Sequence, residues 1–338
     1  MYTEIINKVK LNLGENKDLN RKYLVSQIEK YKNHPYNTEI IKELSRMLWD
    51  CLDDEEKREY IEISENETPI IDILEEIFPI IENGKYDDAL DKLDKFMKSF
   101  PPLFEDDSVS EYHYFTNQLE EDIFNEYIGA EKVVRYIPYN QPILDLYYIY
   151  GFLFLEAKDL ENAEKYLKKA LNINPVSARI LLELSEIYRI KAPNFNKFFI
   201  YTTQALKYAY YPQDIARCYR NLGQYYMEEM NLEVAAALYN YSMKYELNPL
   251  AYTKLQHIKS KGINSELSLE ECLSLIESKK IQIDVNPFII KRLDNLSNKY
   301  DKKQDLNKAL YFYELQYDLT HDEIILQKIK NLKTILNH

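Results

Sequence analysis

A chain of 338 residues with 46% hydrophobic and 29% charged side chains is folded rather than disordered, and holds two ordinary domains or one elongated array of repeats. No apolar run approaches the ~18 residues that cross a bilayer, and the start MYTEIINKVK lacks the apolar core of a secretion signal, so no membrane partner and a cytoplasmic location are expected. A net charge of −13 argues against a nucleic-acid surface, and the mild basic excess of residues 1–34, seven Lys/Arg against four Asp/Glu, accompanies no groove-reading motif.

The first 68 residues form a helical N-terminal region. Tyr23, Leu24, Ile28 and Tyr31 recur at helical spacing, and after the turn KNHPYN so do Ile40, Ile41, Leu44, Met47 and Leu48. Asp53, Asp54, Glu55 and Glu56 then open another short helix, where the dipole accounts for acidic residues without a bound cation. Trp49, the single tryptophan, is expected at least partly in the core.

Residues 69–143 contain degenerate helical repeats. Ile73, Ile77 and Ile80 mark a first helix that Pro79 should kink or shorten. Ala89, Leu93 and Phe96 mark a second, ended at Pro101. The acidic loop EDDSVSE follows, and residues 110–137 read as another helical pair with Phe115, Leu119 and Ile123 turned inward. No stretch sustains period-two alternation, so no sheet is expected and the fold class is all-α, above ~70% helix.

The clearest pattern spans 144–249. In LDLYYIYGFLFLEAKDLENAEKYLKKALNINPVS, Tyr147, Tyr150, Gly151 and Phe154 lie on one helix, Ala163, Leu167 and Ala170 on the next, and Pro175 closes the unit. Gly inside a helix costs roughly 1 kcal/mol relative to Ala, so Gly151 needs a packing reason: a close crossing of two antiparallel helices. Leu181, Leu184, Ser185 and Tyr188, with Ala205, repeat the pattern. So do Tyr219, Leu222, Gly223 and Tyr226, with Ala235, Tyr239 and Ser242. Over 250–338 a unit from Leu250 keeps only helical periodicity around Gly262. A fifth shows Leu293, Leu296, Ser297 and Tyr300 with Ala309, Tyr313 and Gln316. Thr320 and Glu323 then make a T-x-x-E capping box for a terminal helix carrying Ile324, Ile325, Ile329, Leu332 and Ile335. Thirty-one tyrosines suit repeat packing, with the ring buried and the hydroxyl wet.

These units resemble tetratricopeptide (TPR) repeats of bacterial type, strongly over 144–249, moderately over 290–320 and weakly over 69–101. The resemblance implies a right-handed superhelical solenoid of antiparallel helix pairs with a C-terminal capping helix. Its concave groove, lined by the first helix of each pair, usually takes an extended peptide or a partner's helix. By that resemblance, positions two, five, nine and twelve of each first helix face the groove. They are Asp145, Tyr148, Phe152 and Leu155; Arg179, Leu182, Glu186 and Arg189; and Arg217, Arg220, Gln224 and Met227.

Tyr148, Phe152, Arg179, Glu186, Arg217, Arg220 and Gln224 are therefore the candidate ligand-binding residues, suited to a protein or peptide segment with carboxylates and an apolar anchor. The alternative is that Arg179–Glu183 and Glu186–Arg189 form ion pairs along their own helix, and that Tyr148 and Phe152 pack on the preceding helices. Replacing Arg217 and Arg220 by Glu is expected to abolish capture and leave the helical signal intact. The two-carboxylate clamp of chaperone-binding family members is missing: Tyr148 and Phe152 stand at its first Lys and Asn, and Glu183 at the next Asn.

No H-E-x-x-H, G-x-S-x-G, Walker or dinucleotide-binding motif occurs, and the histidines are scattered. Cys51, Cys218 and Cys272 are far apart and show no metal-ligand spacing, which favours buried reduced thiols. No catalytic residue, metal or cofactor is expected. Two functions remain open: a non-enzymatic protein- or peptide-binding scaffold, and a peptide-responsive bacterial regulator with residues 1–68 as effector module. An enzyme would require a convergent polar cluster that the spacing does not reveal.

Overall fold

The computed structural model describes the chain except residues 1, 15, 33, 52–68, 101–102, 107, 139–140, 192–194 and 337–338, and the side chains of 2–4, 38–39, 42, 46 and 49. The acidic run at 53–56, the Trp49 side chain and His338 therefore lie outside the described residues. The described residues form seventeen helices and two short strands, and 73% of them are helical. Two compact units divide the chain, Met1–Asp72 and Ile73–His338. None of the described helices is long and apolar enough to cross a membrane.

In the first unit, α1 (Tyr2–Leu11), α2 (Lys17–Tyr31) and α3 (Asn37–Asp50) enclose Ile6, Val9, Leu24, Ile40, Leu44, Met47 and Cys51. The Asn16 side chain accepts from the Leu19 N–H at 3.1 Å, satisfying one donor that the start of α2 leaves open. Arg21 donates twice to the Cys51 carbonyl, at 3.2 and 3.1 Å, and so ties the end of α3 to α2. Leu11, Leu19 and Val25 stay exposed.

The division between units falls within α4 (Pro69–Glu82), which runs through Pro79 instead of stopping there. After α5 (Tyr86–Ser99) comes a departure from the expected helical pair: β1 (Ser110–His113), α6 (Gln118–Tyr127) and β2 (Val133–Tyr136). The strands pair in parallel, Ser110 opposite Val133 and His113 opposite Tyr136, with α6 as the crossover. The expectation of no sheet was therefore wrong. Four-residue strands fall below the length at which alternation becomes visible, and their support comes from far along the chain. The Tyr114 N–H donates to the Ile173 carbonyl at 3.2 Å, and the His113 ring meets the same carbonyl at 3.1 Å. Phe115, Leu119 and Ile123 are buried as expected.

Helix pairs then follow in succession: α7 (Ile143–Glu156) with α8 (Leu160–Ile173), α9 (Ala178–Ile190) with α10 (Phe195–Tyr208), and α11 (Pro212–Glu228) with α12 (Leu232–Ser242). Each second helix also packs on the next first helix. Side chains of Asp159 and Asn231 cap α8 and α12. The unit from Leu250 differs, because α13 (Pro249–Ser260) and α14 (Leu269–Ser278) both pack on α12. Ser268 and Glu271 form a reciprocal capping box at α14.

Pairing resumes with α15 (Pro287–Lys302) and α16 (Leu306–Thr320), followed by α17 (Glu323–Leu336). One core runs from α6 through α9–α12 to α14–α16. The α6 segment is clasped to α15 by Arg292, whose Nε and Nη2 lie 2.6 and 3.0 Å from the Asp122 carboxylate. The repeat-facing tyrosines Tyr219, Tyr239 and Tyr313 are fully buried, and their hydroxyls bond to protein groups instead of staying wet.

The expected Thr320–Glu323 box is not formed. Thr320 ends α16 and donates to the Gln316 carbonyl at 2.8 Å, while Asp322 caps α17 by accepting from the Ile324 N–H at 2.8 Å. A left-handed His321 separates the two helices. Ile325, Ile329 and Leu332 cover Ala309 and Tyr313, whereas Ile324 and Ile335 face solvent. Deleting residues 322–338 should uncover that cluster, lower the melting temperature and cause self-association. Calorimetry and light scattering check this, and a monomer with unchanged melting would show that α17 covers nothing of consequence.

Candidate binding groove

First helices α7, α9 and α11 supply the expected site residues. A groove of roughly 360 Å³ is lined by Glu186, Arg189, Arg217, Arg220 and Gln224, together with Asn221, Tyr239, Asn248, Leu250 and Lys254. It thus gathers Glu186, Arg217, Arg220 and Gln224 from the sequence-based set. It does not include Tyr148, Phe152 or Arg179.

Tyr148 and Phe152 lie on α7, which lines no part of the groove, and Arg179 lies in the first turn of α9. The Arg179 guanidinium lies over the Tyr148 ring, 4.0 Å from its centroid, and its Nη2 is 3.2 Å from an Asp145 oxygen. Burial, and after it the charge of Glu183, raises the Tyr148 hydroxyl above its ordinary range. Phe152 packs edge-on against Tyr86 of α5, at 5.9 Å between ring centres. The expectation of one wall with aromatics beside free arginines is therefore replaced by an Arg–Tyr stack and a packed Phe.

The groove arginines are themselves held. Arg217 donates Nη1 and Nη2 to the two oxygens of Glu183, at 2.7 and 3.1 Å, a fork across adjacent first helices. Burial works against its charge, but Glu183 outweighs it and keeps the guanidinium firmly protonated. The Arg179–Glu183 pair expected along α9 does not form, because Glu183 is spent on Arg217. Arg220 Nη1 reaches Glu246 at 2.6 Å. Arg189 and Glu186 pair as expected three residues apart, with Nε 2.8 Å from Oε2. Gln224 donates to Glu228 at 2.7 Å. Asp214, in the first turn of α11, has its carboxyl pushed above the usual range by burial, with Arg217 and Arg179 pulling the other way.

Lys254 forms no ion pair among the described residues and stands half-buried in the groove. The lining carries four cations (Arg189, Arg217, Arg220, Lys254) against one carboxylate (Glu186), in a chain of net charge −13. Lys254 was legible in principle. It occupies position five of the unit that begins at Leu250, the position that Arg220 holds in its unit, but that unit lacks the repeat signature. Among the described residues no three His, Cys, Asp or Glu side chains converge to hold a metal ion. The three cysteines are buried free thiols.

No protein-family profile matches the sequence, and no curated protein is similar to it.

Proposed function

We propose that residues 144–320 are a TPR-type array with a right-handed superhelical course, and that the protein is a non-enzymatic scaffold binding a protein or peptide segment in the first-helix groove. The observation that carries this reading is the groove lining, four cations and one carboxylate on an otherwise acidic chain. Each paired arginine uses at most two of its five N–H donors on its partner. Donors therefore remain for a ligand carboxylate, while the exposed Leu250 side chain supplies an apolar contact. The partner is a segment with one or more carboxylates and an apolar anchor.

Selection of displayed random peptides on the full chain tests this. Enriched peptides should contain carboxylates beside an apolar residue, and Lys254→Glu should weaken their binding about tenfold without changing the circular dichroism. Binding should also fall with salt, since the Debye length is only ~8 Å at physiological strength, yet persist through the apolar contact. Peptides enriched without acidic residues, or bound equally by Lys254→Glu, would place the binding surface elsewhere.

A second reading, the peptide-responsive regulator with residues 1–68 as effector, is favoured by one observation. Residues 1–72 are a compact unit with its own core and with Leu11, Leu19 and Val25 exposed. An effector needs such an independent surface, whereas a mere cap would share the core of the array.

A further inference from the structure

Away from the groove, a cavity of about 560 Å³ opens between the strand–helix–strand segment and the α15–α16 pair. That volume falls within the ~300–1,000 Å³ usual for small-molecule sites. One wall is built at the carboxyl ends of the parallel strands by His113, Phe115 and Tyr136, and another by Tyr300, Tyr311 and Phe312. The rings are fixed in place. His113 stacks on Phe115 at 5.5 Å, and Tyr300 on Phe312 at 5.6 Å. The His113 nitrogens are held by the Ile173 carbonyl and by Glu111, each at 3.1 Å. His113, Phe115 and Phe312 are buried, whereas Tyr136, Tyr300 and Tyr311 keep open ring surface on which a planar π-system can stack.

The charges at the cavity narrow the ligand further. Lys308 and Glu121 contribute one of each sign. An organic cation would meet Lys299 and Lys308, whose ammonium groups already sit 5.3 Å from the Tyr300 ring centre. An organic anion would meet Glu121, which is anchored by the Tyr136 hydroxyl and by Gln118 Nε2 at 2.9 Å. A plain hydrocarbon would leave unused Gln118 Oε1, whose amide Nε2 already donates to Glu121, and the one hydrogen-bonding position that Asn117 and Tyr211 leave on the Tyr311 hydroxyl. The acceptor at Gln118 Oε1 and the remaining position on the Tyr311 hydroxyl suit the donor and acceptor edge of a nucleobase. We propose that this cavity binds a neutral planar heteroaromatic molecule of the nucleobase or nucleoside type. The site is separate from the first-helix groove and does not depend on the function proposed for it.

Adenosine, choline and benzoate are suitable probes for the full chain, read by saturation-transfer NMR and isothermal calorimetry. Adenosine should bind more tightly than the other two. Its dissociation constant should rise at least tenfold in Tyr311→Ala and in Gln118→Leu. Tyr311 is about one-third exposed and Gln118 half-buried, so both variants should keep the wild-type circular dichroism. No saturation transfer to adenosine, tighter binding of choline or benzoate, or unchanged adenosine affinity in both variants would overturn the assignment.

Discussion

Gly151→Leu should destabilise the second unit by ~3 kcal/mol, the upper end of what overpacking a core usually costs. A Cβ at Gly151 would fall 2.7 Å from Leu167 Cγ and 3.0 Å from the Leu167 backbone nitrogen. The side chain could rotate away, but the backbone cannot, so α7 and α8 would have to separate. Even Gly151→Ala should destabilise, although Ala is favoured over Gly by about 1 kcal/mol in an unobstructed helix. At Gly223 the nearest atoms are ring carbons of Tyr239, at 3.0 and 3.1 Å. A ring can tilt, so Gly223→Ala should cost less than Gly151→Ala. Urea midpoints at unchanged slope read the order directly. A Gly151→Leu midpoint equal to wild type would refute the close crossing.

The second large effect concerns Arg217→Glu. Glu183 is 8% exposed and its two oxygens are both taken by Arg217. Breaking a buried pair by removing one partner costs ~3–5 kcal/mol, and the one-third exposure of Arg217 places this pair near the lower figure. A second carboxylate beside Glu183 adds repulsion to the lost pair. The sequence-based expectation that Arg217→Glu with Arg220→Glu would leave the helical signal intact is thereby revised. Those changes also strip Glu246 of its partner, so they report on stability before they report on capture. Replacing both members of the pair, Arg217→Met with Glu183→Leu, should recover most of the loss, because no unpaired charge remains. A double-mutant cycle in urea checks this, and a double variant as unstable as Arg217→Glu would contradict it.

Much of the helical frame was legible because its signals are local. Gly151, Ala163 and Pro175 mark a crossing and a stop within one stretch of chain, and the same offsets recur at Gly223 and Ala235. What stayed hidden depends on partners distant in sequence. The strand at 110–113 is tied to α8 through Ile173, and both strands face α15 and α16 across a cavity, so their support lies far from them in sequence. The misplaced capping box shows a different limit. Thr320 and Asp322 can both cap a helix, and the left-handed turn at His321 decides between them.

The groove was half legible for a related reason. Spacing identified which residues share the first-helix face, and Glu186, Arg217, Arg220 and Gln224 do meet there. Spacing says nothing about how a guanidinium on one helix pairs with a carboxylate on the next. Arg217 with Glu183 and Arg179 with Asp145 are such pairs, each spanning thirty-four positions. Lys254, which forms no ion pair among the described residues and lines the groove, lies in the unit whose signature has decayed.

Photo-crosslinking tests the central claim most directly. A photoreactive amino acid placed at position 224 in the groove, or at the exposed position 233 on α12, is irradiated with a selected acidic–apolar peptide bound. The groove account predicts efficient labelling from 224, suppressed by Lys254→Glu, and little from 233. Labelling that is equal at the two positions, or stronger from 233, would contradict it.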